Sequence, residues 1–200
     1  MKLITRRWAV LGATAILAAS ITAGGVIAAQ LTTFENPDRL AKAIEKDPLV
    51  LAADIPAAGG AARHSVLVQE TSTGHICLWD VPSATPGLKQ GGCNSADDPL
   101  AGRPLSVSFS YDGGPAMATV RDARLIGLTT ANVATVEVVM NDGTRRPMRL
   151  EQARVGGAEY FAFGYRFKAG DLRRGIGPVA VVAFDDSGVE IDRQTTGFTG

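Results

Sequence analysis

The residues best suited to chemistry lie in one short stretch, "HICLWDVPSATPGLKQGGC", from His75 to Cys93. It holds both cysteines of the 200-residue chain, Cys77 and Cys93, and one of its two histidines; the other is His64. Metal binding, thiol redox chemistry and a structural disulfide all draw on such residues. A zinc centre needs four ligands at close paired spacings, and a soft copper site needs further Met or His. A set of His75, Cys77, Asp80 and Cys93 offers one His-x-Cys pair and no second pair, so no metal and no cofactor are expected. Redox catalysis needs a thiol of lowered pKa, commonly in Cys-x-x-Cys at a helix start. Cysteines 16 positions apart, the first in an alternating strand-like run, do not provide one. A disulfide closing the Pro/Gly-rich loop between them is the expectation.

Nucleophilic catalysis would need a base beside Ser or Cys, and His64 and His75 are the conventional candidates. The chain has no Gly-x-Ser-x-Gly elbow, no His-Glu-x-x-His and no phosphate-cradling loop. The adjacent pairs Asp97-Asp98 and Asp185-Asp186 stand where turns are expected. Neighbours on a strand point to opposite faces, which is poor geometry for an acid/base pair. No spaced Asp loop for calcium is present either. The sequence therefore reads as a non-enzyme, with no catalytic, cofactor-binding or metal-binding residues.

The amino terminus sets the compartment. Lys2, Arg6 and Arg7 precede an uncharged run from Trp8 to Ala29, enough helix to span roughly 30 Å, the thickness of a bilayer core. Residues 1–7 are expected to form a cytoplasmic tail and 8–29 a single-pass transmembrane anchor. The alternative is a secretory signal cleaved near Ala28–Ala29, which would release the protein. Cations before the span stay inside, so the remainder lies outside the membrane in either case. Residues 30–63 then read as a short juxtamembrane helix, opened by Asn36-Pro37, and a linker, "IPAAGGAA".

From His64 onward the apolar period changes from helical to alternating. "LSVSFSY" sets Val107, Phe109 and Tyr111 opposite Ser106, Ser108 and Ser110, and "EYFAFGYRF" aligns Phe161, Phe163, Tyr165 and Phe167. "VATVEVVM" and "PVAVVAF" are β-branched runs of strand length. Thr73-Gly74, Asn141-Asp142-Gly143 and Asp185-Asp186-Ser187-Gly188 supply the turns between such runs. Short strands at regular spacing predict a mainly β fold for 64–200, an antiparallel sandwich or a small barrel. The stretches "GLTTANVATVEVVMNDGTRRPMRL", "PVAVVAFDDSGVEIDR" and "ICLWD…GGC" resemble immunoglobulin-like sandwiches of uncharacterised, exported or membrane-anchored actinobacterial proteins. That resemblance implies an immunoglobulin-like fold and an extracytoplasmic location, and brings no catalytic residues with it.

Charge narrows the function classes further. The chain carries 20 basic and 20 acidic residues; without residues 1–29, 17 basic stand against 20 acidic. Nucleic-acid binding rests on a basic surplus and is disfavoured. One stretch runs the other way: Arg145, Arg146, Arg149, Arg154, Arg166, Lys168, Arg173 and Arg174 face only three acids between 144 and 175. If they share a face, they suit an anionic envelope polymer or an acidic partner. The expected function is a non-catalytic interaction or structural module of the cell envelope, with an unknown envelope protein or an anionic polymer as partner. An envelope hydrolase, or an accessory subunit of one, is the alternative.

Overall fold

The computed structural model describes residues 42, 44–85, 89–112 and 120–196. The expected cytoplasmic tail, the anchor at 8–29 and most of the juxtamembrane helix lie outside the described residues. Among the described residues no helix is long and apolar enough to cross a membrane.

The described chain is mainly β and antiparallel, folded as three four-stranded sheets. The first sheet is a meander of β1 (Val50–Ile55), β2 (His64–Thr71), β3 (His75–Pro82) and β4 (Gln90–Ser95), paired in that order. The middle sheet has the order β5-β6-β10-β9, from β5 (Leu105–Asp112), β6 (Asp122–Thr130), β9 (Glu151–Val155) and β10 (Ala158–Arg166). The third has the order β12-β11-β7-β8, from β7 (Thr135–Met140), β8 (Arg145–Pro147), β11 (Pro178–Phe184) and β12 (Glu190–Thr195). A short helix, α1 (Ala169–Arg173), lies between β10 and β11.

Alternation along the strands decides how the layers stack. Leu105, Leu125 and Phe163 of the middle sheet meet Val136, Val138, Val181 and Ala183 of the third in one buried cluster. Phe167 closes one end, with Phe109 and Tyr165 rings edge-on to it at 5.6 and 5.0 Å. On the opposite face, Ile126, Leu128 and Ala162 meet Ile55, Val66, Val68 and Ile76 of the first sheet. The middle sheet is thus covered on both sides, which is why β6, "DARLIGLTT", is buried along nearly its whole length. Gly164 sets the spacing of the first and middle sheets. A Cβ there would lie 2.5 Å from Ile55 Cγ1 and 2.8 Å from Val66 Cγ2, inside van der Waals contact.

Two stretches differ from their sequence reading. Residues 50–55, placed ahead of the domain with the linker, form β1, paired from Val50↔Val68 to Ile55↔His64. Their alanines give a weak strand pattern, but Ala52 and Ala53 are buried against the neighbouring layer, where small side chains permit close approach. The loop expected between the cysteines is shorter than its 15 residues, because Gln90–Ser95 pairs along β3 as β4.

Candidate functional site

The cysteines are placed by this pairing. Cys77 and Cys93 are directly opposed in the register of β3 and β4 and joined in a disulfide, as expected. Both belong to a third buried cluster with Trp79, Val81 and Ile44 on the outer face of the first sheet. Trp79 Nε1 donates to Gln69 Oε1 at 3.1 Å. Gln69 Nε2 in turn donates to the carbonyls of Ile44 and Asp47, at 3.1 and 2.6 Å. The disulfide is therefore a staple under a cover formed by the segment leading into β1. His75 lies at the far end of β3, its Nδ1 3.1 Å from Thr73 Oγ1, beside the turn. Among the described residues no cluster of three or more His, Cys, Asp or Glu could hold a metal.

A different group of charges sits in the seam between the first and middle sheets. The row Ile76, Leu78, Asp80 on β3 faces the row Arg124, Ile126, Leu128 on β6, so each apolar row ends in a charge of opposite sign. Asp80 is 1% exposed and Arg124 1%. Asp80 Oδ2 accepts from Arg124 Nε at 2.7 Å and from Ser110 Oγ at 2.8 Å, and Oδ1 lies 2.6 Å from His64 Nδ1. Arg124 also pairs with Asp122 through Nη1. Arg166 Nε stands 3.0 Å from Asp122 Oδ1, too poorly angled for a hydrogen bond, so that contact is an ion pair. Arg166 Nη2 donates to Asp122 Oδ2 at 3.3 Å, and Nη1 and Nη2 donate to the carbonyls of Pro56 and Ala62, which tie the β1–β2 connection to β10. Carboxylates and guanidinium groups thus pair with one another in the seam, as buried charges must.

Burial alone would push the Asp80 carboxyl up. The hydrogen bonds from His64 and Arg124 outweigh it and hold the group below the ordinary carboxylate range. An ionised Asp80 only accepts, so His64 Nδ1 carries the proton that points at it. The other ring nitrogen, Nε2, has no hydrogen-bond partner among the described residues. His64 and Asp80 line a cleft of about 630 Å³ whose mouth lies between the Gly59–Ala62 turn, Thr85 and Arg121. Arg121 is exposed, and it makes no ion pair among the described residues.

Several cations of the basic stretch are paired with acids. Arg146 and Arg174 converge on Asp171, each at 2.7 Å, and Arg146 also donates to the Tyr165 hydroxyl at 2.8 Å. Arg145 pairs with Glu137 at 3.0 Å and Arg149 lies 3.6 Å from Glu151. Arg166 is drawn into the seam. Arg154 lies on β9, at the edge of a different sheet from Arg145, while Lys168 and Arg173 stand exposed at α1.

The chain matches no protein-family model, no curated protein and no solved structure.

His64, a candidate base in the sequence, is buried; Asp80 enters the sequence reading only as a possible metal ligand, and Asp122 and Arg124 belong to no motif there. Their signal was present as a charge closing an otherwise apolar row. That Asp80 and Arg124 meet depends on the stacking of two sheets, which neither row encodes by itself.

Proposed function

We propose that the protein is a non-catalytic interaction or structural module of the cell envelope, membrane-anchored by its N-terminal segment and exposed outside. The observation that carries this reading is the saturation of the seam. Both Asp80 oxygens are taken by donors, the Ser110 hydroxyl is committed to Asp80 instead of His64, and Arg124 is shared between Asp80 and Asp122. Groups so matched lock two layers together and leave neither an activated nucleophile nor a proton-loaded acid. The disulfide supports an oxidising, extracytoplasmic location. The strand orders β5-β6-β10-β9 and β12-β11-β7-β8 parallel A-B-E-D and G-F-C with an added C′ strand, which supports an immunoglobulin-like sandwich bearing an extra sheet.

One observation favours the alternative, an envelope hydrolase or an accessory subunit. His64 carries an Asp on Nδ1 and an unpartnered Nε2, the arrangement of a general base. Crosslinking in native cells, followed by mass spectrometry, separates the readings when paired with incubation of the full chain on purified envelope fragments. A stable crosslinked partner with intact fragments is the expected result; cleaved fragments would establish the hydrolase.

A further inference from the structure

The cleft at His64 has the features of a ligand site. Among its lining residues is His64, whose Nδ1 is turned to Asp80; in the neutral imidazole the other nitrogen, Nε2, is an acceptor. Such an atom calls for a hydroxyl or N–H donor. One wall is the Gly59-Gly60 turn, where a Cβ on either residue would meet nothing within 4 Å, so that side is open space. At the rim stands Arg121, exposed, while behind it Asp80 and Asp122 pair with Arg124 and Arg166. The Arg121 guanidinium, in no ion pair among the described residues, selects an acidic group.

We infer that this cleft binds a polyol bearing one acidic group, a hydroxyl donating to His64 Nε2 and the acid pairing with Arg121. The inference rests on the reading of the chain as a binding module, and it moves the contact with an anionic polymer from the basic stretch to the cleft. A uronic acid and a polyol phosphate both present this chemistry. The volume of about 630 Å³ suits one or two such units and excludes a folded partner.

The test uses the full chain in nanodiscs with isotope-labelled histidine. The two ring signals provide a probe and a control, since His75 and His64 lie toward opposite ends of the β2–β3 hairpin. Glucuronate and glycerol 3-phosphate are titrated as the carboxylate and phosphate probes, with methyl glucoside and acetate as ligands lacking one of the two groups. Saturable movement of the His64 signal by glucuronate or glycerol 3-phosphate, with His75 unmoved, is the expected result. The effective probe identifies the source of the acid. Arg121→Gln should weaken that binding about tenfold, and methyl glucoside and acetate should bind at least as poorly. No movement of His64 with either acidic polyol would overturn the inference, as would binding unaffected by Arg121→Gln. Because the readout needs no cellular partner, a negative titration is distinguishable from failure of the envelope-module reading, which the crosslinking tests.

Discussion

Replacing Asp80 by Asn would test the seam most sharply, because the change is isosteric and its consequences are confined to hydrogen bonds and charge. Asp80 accepts three short hydrogen bonds in a site 1% exposed to solvent. An amide offers one acceptor atom where the carboxylate offered two, and turns an NH₂ toward either the His64 or the Arg124 donor. Arg124 then loses the counter-charge on its Nε while keeping Asp122 on Nη1. Breaking one partner of a buried pair costs about 3–5 kcal/mol. For a domain of this size that is roughly 6–20 °C in Tm. Urea unfolding followed by Trp fluorescence measures it, since Trp79 is buried in the same sheet. Acid unfolding supplies a second readout. The Asp80 carboxyl is depressed, so its contribution is complete above the unfolded-state value near about pH 4 and fades as pH falls through the lower folded-state value. Asp80→Asn should remove this acid-labile part, making the loss of stability below about pH 4 shallower. The double variant Asp80→Leu/Arg124→Met, with both charges gone, should cost less than the two single changes added, by about 1 kcal/mol or more. An Asp80→Asn protein within about 1 kcal/mol of the wild type would refute the seam as a lock between layers.

Other consequences are equally direct. Gly164→Ala should destabilise the protein by about 1–3 kcal/mol, because its methyl group would drive Ile55 and Val66 from the middle sheet; an unchanged urea midpoint would contradict the packing. A free-thiol assay on the protein isolated from cells should find neither cysteine reactive, and Cys77→Ala/Cys93→Ala should lower stability by ~3 kcal/mol. The chain should stay in the membrane fraction at high salt; a soluble form beginning near Gln30 would show a cleaved signal instead.

Much of the fold could be read in advance where one physical pattern dominated. β5 and β10 alternate cleanly, β7 and β11 are β-branched runs, and Asp-containing turns ending in Gly143 and Gly188 mark the hairpins closing β7–β8 and β11–β12. The elements that escaped reading lack such a pattern for identifiable reasons. β1 is carried by alanines, β4 opens with Gln90-Gly91-Gly92, and β6 is covered on both faces, so its apolar residues do not alternate with polar ones. The basic stretch shows how one run of sequence is divided among elements. Residues adjacent in sequence from 145 to 174 pass through β8, β9, β10 and α1, in two sheets, and are parted by the crossings between them. The seam was half visible: a charge ending each apolar row was legible, and the partner on the facing layer was not.

Binding of an envelope ligand in the cleft between the first two layers is tested most directly in cells. A photoreactive residue at Thr85, on the cleft rim, is compared with one at Ser187, in the β11–β12 turn. Adducts bearing acidic glycan or polyol phosphate from Thr85, and none from Ser187, are the predicted result. Equal adducts from both positions, or none from Thr85, would contradict it.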